Sequence, residues 1–282
     1  MSLLLAAHLS GLPTQRATAC VHADLPEVYF LFTSTPDRAA RLPRVMAMLR
    51  RQTLKPRAAI LTIAETYDST RFANSTYPSA AIEAPEVGRS GDGSACCGLV
   101  VHRQPVDRGP ISKYFGALAP AVRGTAIVVV GDDDMEYGPT FIEDYACAVH
   151  GGPTSTVYSS GIDVDCRRLG GCVMGFRGVA MRASMLASLP HTPQPRACFL
   201  ADDVAITHYL TRAPNSYRVQ RLKLRSKYKF DDAFAWSNSS INAYHRERKF
   251  KVNKACVSAL FAAARVEQLV DQHARPQQRT SS

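Results

Sequence analysis

The sequence predicts an α/β fold, a single domain built on a sheet with parallel strands, and three observations predict it. Ala126-Ile127-Val128-Val129-Val130 is an unbroken apolar run, as in a strand buried on both faces of a parallel sheet, and it leads straight into Gly131-Asp132-Asp133-Asp134. Upstream, two short hydrophobic runs enclose an amphipathic segment of helix length, which makes a β-α-β opening with a right-handed crossover. With 282 residues, 46% hydrophobic and 21% charged, the chain has ordinary globular composition and enough length for one large α/β domain.

In chain order, residues 1–24 show no strong periodicity and read as an N-terminal extension. Val28 to Phe32 is a strand by its aromatic and aliphatic content, ended by Thr33-Ser34-Thr35-Pro36-Asp37-Arg38. Pro43 suits the first turn of a helix that carries Val45, Met46 and Leu49 on one face and closes near Gln52. Ala58 to Ile63 is the second strand, ending at Glu65. From Thr66 to Cys97 the chain is rich in Ser, Gly, Pro and Ala and reads as a long irregular excursion tipped by 88–94. Leu99 to Arg103 is a third strand, after which the Asp107-x-Gly109-Pro110 turn starts a helix toward Ala121. Beyond the aspartates, Gly138-Pro139 opens a helix whose apolar stripe is Phe141, Ile142, Tyr145, Ala148 and Val149. Thr156 to Gly161 is a strand, and the Gly-rich stretch 170–182 leads to a short helix over 183–189. Cys198 to Leu210 reads as a helix entered through Asp202-Asp203. Strict alternation from Arg221 to Phe230 places Arg221, Lys223, Arg225, Lys227 and Lys229 on one face of a strand. An amphipathic helix from Lys254 to about Val270 and a disordered tail close the chain, so 25–255 is the main domain and 256–282 the C-terminal helix and tail.

The net charge of +10 favours an anionic partner without choosing among nucleic acid, anionic lipid and a phosphate-bearing substrate. Eight cysteines include no Cys-x-x-Cys and several fall in segments read as buried, so reduced thiols in a reducing compartment are expected, without structural zinc. Met1 to His8 is briefly apolar but has no basic region and is shorter than most signal-peptide cores; no run approaches the ~20 apolar residues of a membrane span. The expectation is a soluble, cytoplasmic protein.

Three consecutive carboxylates at the tip of a strand lie where open α/β sheets bind ligands. Side chains two apart on an extended chain point the same way, so Asp132 and Asp134 share a face. Adjacent like charges need a positive partner, and a hard divalent cation, Mg²⁺ or Mn²⁺, takes oxygen ligands and bridges to a substrate's phosphates. A cap for the next helix would need one acid, not three. Backbone amides of the turn at Asp107, with Lys113 near a helix start, match a phosphate-binding pattern as well as a plain β-to-α turn. Asp202 and Asp203 fit either acids that stabilise a helix N-terminus or a catalytic base. The cationic strand fits a solvated sheet edge, or contact with a diphosphate or an acidic acceptor. Trp236, the only tryptophan, fits the core or a sugar-stacking platform.

Thr35-Pro36-x-Arg38 with Gln52 and Pro56, Asp107-x-Gly109-Pro110-x-x-Lys113, the Asp132-Asp133-Asp134 strand end and Ala201-Asp202-Asp203-Val204 together resemble glycosyltransferases of the GT-A fold, family-2-like, of the kind found in bacteria and large DNA viruses. The resemblance spans roughly residues 26–255 and implies a Rossmann-like mixed sheet, a UDP- or GDP-sugar donor, a glycan acceptor and Mn²⁺ or Mg²⁺ as cofactor. It implies Thr33, Thr35, Pro36, Arg38 and Glu65 on the nucleoside side, Asp107 and Lys113 near the nucleotide, and Asp132 or Asp133 at the ribose. Asp134, with Asp132, would ligate the metal, and His245 would complete its shell. Gly175, Phe176 and Arg177 would lie beside sugar and acceptor. Asp203 would be the base of an inverting transfer, with Asp202 standing where the family more often has Glu. Neither nucleic acid nor a membrane is an expected partner, and a viral member would work in host cytoplasm. Two rivals use the same residues differently. A nucleotidyltransferase-like enzyme would place two metals on the aspartates and use a triphosphate donor. A basic nucleic-acid-binding protein would ignore the aspartates, and it lacks an interleaved aromatic platform here.

Overall fold

A computed structural model describes residues 14–67, 75–84, 97–163, 166, 169, 171–189, 194–212, 215–230 and 251–263. In chain order its elements are β1 (Thr14–Arg16), β2 (Val28–Thr33), α1 (Leu42–Arg50), β3 (Ala58–Ala64), α2 (Ser79–Glu83), β4 (Gly98–Gln104), α3 (Ser112–Phe115), β5 (Ile127–Val130), β6 (Met135–Tyr137), α4 (Phe141–Gly151), β7 (Thr156–Ser159), β8 (Ile162–Asp163), β9 (Cys172–Val173), β10 (Val179–Arg182), α5 (Asp202–Thr211), β11 (Arg218–Lys223), β12 (Tyr228–Phe230) and α6 over 251–263.

Eight strands lie side by side in the order β1-β11-β7-β10-β5-β2-β3-β4. Only β10 runs against its neighbours, antiparallel to both β5 and β7; the other pairings are parallel. The carboxyl ends of β5, β2, β7 and β11 therefore share one edge. Alternate residues of the central strands face two separate cores. Val128 and Val130 of β5 pack with Ile111, Tyr114, Val204, Ile206 and Leu210, while Ile127 and Val129 pack with Met46, Leu49, Ile142 and Tyr145. Helices thus cover both faces of the sheet, in the expected mixed α/β, Rossmann-like arrangement. All four side chains of β5 are fully buried, and each contributes on the order of 1.5–3 kcal/mol by leaving water. Among the described residues no helix is long and apolar enough to cross a membrane.

Several expectations change. Part of the segment read as an extension joins the sheet, because β1 pairs with Arg221–Lys223 of β11. The helix after Asp107 is short, with single 3-10 turns on either side, and 183–186 is a 3-10 turn. The cationic strand does not run through. Its first part, β11, joins the large sheet; its last part, β12, pairs with β6; between them Arg225 turns aside to ion-pair with Glu143 and Asp144. A buried carboxylate at Asp144, fully excluded from solvent, needs that cation more than the strand needs its continuity.

The reduced-thiol expectation is overturned. Cys20 bonds Cys147 in α4, Cys166 bonds Cys172, Cys198 bonds Cys256 in α6, and Cys97 is also disulfide-bonded. The burial that suggested packed thiols arises because most of these sulfurs bridge elements inside the core. The tip 88–94, Asp231 to Trp236, His245 and the tail beyond 263 lie outside the described residues.

Candidate active site at the carboxyl edge of the sheet

After β5 the three aspartates divide between two cations before β6 begins: Asp133 and Asp134 share Arg38 while Asp132 faces Lys113, so the expected common face of Asp132 and Asp134 does not form, because the chain turns at 133–134 instead of running extended. Asp133 is buried: Ser34 Oγ donates to its Oδ2 at 2.6 Å and Arg38 reaches its Oδ1 at 3.1 Å. Burial raises this carboxyl to about 6 despite the opposing Arg38 guanidinium. Asp134 takes a second nitrogen of the same guanidinium. Burial would lower the Arg38 pKa, but Asp133 and Asp134 overcome it and hold the side chain charged. Asp132 instead faces Lys113, whose Nζ donates to Oδ1 at 2.7 Å. The three negative charges thus have two protein cations. Tyr137 fixes the turn, since its hydroxyl accepts from the Asp132 amide at 2.8 Å and donates to the Phe176 carbonyl at 3.0 Å.

Lys113 is only 1% exposed, and its ammonium lies 2.8 Å from Asp202 Oδ2 as well as against Asp132. Burial would lower its pKa; Asp132 and Asp202 overcome that and raise it well above the ordinary lysine range. One ammonium therefore joins the tip of β5 to the entrance of α5. Asp203, beside it, does not cap its own helix. Its Oδ1 accepts from the Gly175 amide at 2.7 Å, across a separation of 28 residues, and α5 has no side-chain cap at its start. Burial, then the charge of Asp202, pushes the Asp203 carboxyl up to about 8. A Cβ at position 175 would stand 2.8 Å from Lys113 Nζ and 3.2 Å from Asp203 Oδ1, so glycine is what lets this turn close on both.

The expected residues thus divide. Arg38, Lys113, Asp132, Asp133, Asp134, Asp202, Asp203 and Gly175 converge. Lys113 does so as a buried bridge between carboxylates and not as a helix-start ammonium open to phosphate. Thr33 donates to the Thr62 carbonyl and Thr35 to Asp37, both on the approach to Arg38, and Pro36 begins the 3-10 turn that carries Arg38. Asp107 Oδ1 accepts from the Gly109 amide at 2.9 Å and shapes its own turn; Glu65 is exposed at the end of β3. The Phe176 carbonyl anchors Tyr137, and the Arg177 guanidinium lies over the rings of Phe176 and Tyr228. His208, whose pKa burial lowers to about 4, lies farther along α5 and faces Phe261. Sequence reasoning missed Ser34 and Tyr137. Ser34 had a signal, since it sits one residue past β2, the strand paired with β5; nothing in the sequence marked Tyr137 beyond its place after the acids.

Among the described residues, no three His, Cys, Asp or Glu side chains cluster as a metal cage. Substrate-bridging Mg²⁺ and Mn²⁺ need only one or two carboxylates, however. Asp134 and Asp132 have side chains 29% and 28% exposed, and each commits only one oxygen to its cation, which leaves Asp134 Oδ1 and Asp132 Oδ2 for such an ion. Each is an oxygen donor of the kind that a hydrated ion of that type takes.

No protein-family model matches the chain, and no curated protein matches it. Among solved structures the chain is similar to HddC from Yersinia pseudotuberculosis, with 13% identity and a TM-score of 0.41 over 73% of this chain and 93% of that one. It is also similar to a protein described as a glucose-1-phosphate thymidylyltransferase from Bacillus anthracis, solved with sucrose, with 11% identity and a TM-score of 0.41 over 78% and 95% of the two chains. Likenesses of this size assign neither substrate nor reaction.

Proposed function

We propose that the chain is a metal-dependent, inverting glycosyltransferase that moves a sugar from a nucleoside-diphosphate sugar to an acceptor hydroxyl. One observation carries the reading: Asp203 is withdrawn from helix capping and held by the Gly175 amide, on the same sheet edge as the two half-committed carboxylates Asp132 and Asp134. Inverting transfer needs such a division, with one carboxylate to take a proton and a separate acidic site to handle a charged leaving group.

Asp203 takes the proton of the attacking acceptor hydroxyl, and its raised pKa lies near working pH, where a general base is most effective. Lys113 fixes Asp202 and Asp132 relative to one another, so that base and leaving-group side keep their spacing. Asp134 and Asp132 would hold Mn²⁺ or Mg²⁺, which when bound neutralises the departing diphosphate. Arg38 holds Asp133 and Asp134 in place. The bridged cysteines favour work in an oxidising compartment.

Calorimetric and thermal-shift titration of UDP, GDP and their sugars, with and without Mn²⁺, tests this on the wild type and Asp134→Ala. The expected result is Mn²⁺-dependent binding of one nucleoside diphosphate, lost in the variant. Turnover of a nucleoside triphosphate with a sugar phosphate would replace the reading with nucleotidyl transfer.

A further inference from the structure

Beside the carboxylate site, and on the same edge of the sheet, a cleft of about 620 Å³ opens between the ends of β7 and β11. Its wall is cationic. Arg177, Arg221, Lys223 and Lys227 all line it, with Ser160 and Ser226. Among the described residues none of these four cations forms an ion pair. The two elsewhere-pointing members of the cationic run show that this is selective: Arg225 pairs with Glu143 and Asp144, and Lys229 with Glu136. What remains facing the cleft is the subset left without carboxylates.

Placement ties the cleft to the reaction. Arg177 ends the 3-10 turn Gly175–Arg177, and the first residue of that turn holds Asp203. The turn is therefore the wall between the proposed base and the cleft. The donor side, with Arg38 and Asp134, approaches from β2 on the other flank of β5.

We infer that this cleft binds the acceptor, and that the acceptor is an acidic saccharide, one carrying carboxylate or sulfate groups. The inference rests on the glycosyl-transfer reading for the word acceptor, but the binding site stands on its own residues. A volume of this size suits a short saccharide, within the roughly 300–1,000 Å³ of small-ligand clefts. Nucleic acid is disfavoured because, among the described residues, the lining holds a single aromatic ring, Tyr228, already covered by the Arg177 guanidinium at 5.8 Å.

The test is calorimetry on the full chain with a heparin-derived sulfated hexasaccharide, its desulfated and carboxyl-reduced neutral counterpart, a short oligothymidylate, and UDP or GDP with Mn²⁺. The proteins are wild type, Arg221→Gln/Lys223→Gln and the charge-preserving Arg221→Lys/Lys223→Arg. The sulfated hexasaccharide is expected to bind wild type, to lose at least about tenfold in the Gln pair, and to recover in the charge-preserving pair, with the neutral sugar at least about tenfold weaker throughout. Equal binding to wild type and the Gln pair, or no saccharide binding at all, overturns the proposal. So does oligothymidylate binding as tightly with the same dependence, which would make the surface a nucleic-acid site. An equal loss of nucleoside-diphosphate affinity in the Gln pair would assign the cleft to the donor instead. Saccharide binding as expected with no nucleotide bound under any condition would leave the cleft and remove the transferase reading. Melting temperatures of both variants show that they fold.

Discussion

Lys113→Met removes one charge and little volume, and its effect can be worked from the contacts. The ammonium stands 2.7 Å from Asp132 Oδ1 and 2.8 Å from Asp202 Oδ2. At an effective dielectric of about 20, each attraction is worth about 6 kcal/mol, and the buried ammonium's desolvation offsets several of these. Removing one partner of a buried ion pair costs about 3–5 kcal/mol. Because the carboxylate side chains are 28% and 15% exposed, water takes part of the load, and the lower end, about 3 kcal/mol, is expected. Urea denaturation at about pH 7.5 and about pH 5 measures it. In the wild type Lys113 is charged across this range, since its pKa lies well above the ordinary value, so its contribution is lost only in strong alkali. The deficit should therefore be present at both pH values. A variant within about 1 kcal/mol of wild type would refute the bridging role.

Asp203→Asn should slow turnover by roughly 10²–10⁴ with donor binding intact, and raise stability by about 1 kcal/mol at neutral pH, read as Tm, because the amide keeps the Gly175 hydrogen bond and, unlike the carboxyl, takes up no proton on folding. The wild-type rate should climb with pH through the Asp203 value of about 8; over the window from the ordinary carboxyl value up to that point the folded state holds a proton the unfolded chain has lost, so stability should fall as pH rises, and fall less in the variant. Gly175→Ala places a methyl 2.8 Å from Lys113 Nζ, and is expected to cost about 1–3 kcal/mol in denaturation and about 10² in rate by moving Asp203. Reduction of the Cys20–Cys147 bond, which spans a separation of 127 residues, should lower stability by about 2–5 kcal/mol, followed by melting with and without reductant; an unchanged melting curve with the thiols shown free by mass would count against it.

The central sheet was legible because its strands are buried on both faces and carry unbroken apolar runs: β2, β3 and β5 appear within a residue or two of their expected ends. The acids at the end of β5 and at the start of α5 were legible for the same reason, as charge directly abutting a core element. Their pairing was not. Lys113 and Asp202 lie far apart in the chain, and the packing of α5 against the 3-10 turn Gly109–Ile111 that leads into α3 brings them together. The clamp of the Arg38 guanidinium on Asp133 and Asp134 was likewise not legible, being set by the parallel pairing of β2 with β5. Cysteine spacing alone does not encode which sulfurs meet, since eight cysteines allow 105 full pairings. The cationic run misled because strict alternation says nothing about where a strand stops, and the demand of Asp144 for Arg225 stops this one.

The two long disulfides divide the site between two covalent rings. Asp132, Asp134, Lys113 and Arg38 fall inside the ring closed by Cys20 and Cys147, and Asp202 and Asp203 inside the ring closed by Cys198 and Cys256. A single proteolytic nick between 21 and 146, or between 199 and 255, therefore releases no fragment from the oxidised protein: the cut ends stay tethered through sulfur. Lys113 is then the ionic rivet between rings that are each closed on their own, and a nicked chain that lost activity would have lost the alignment of the two and not any piece of either.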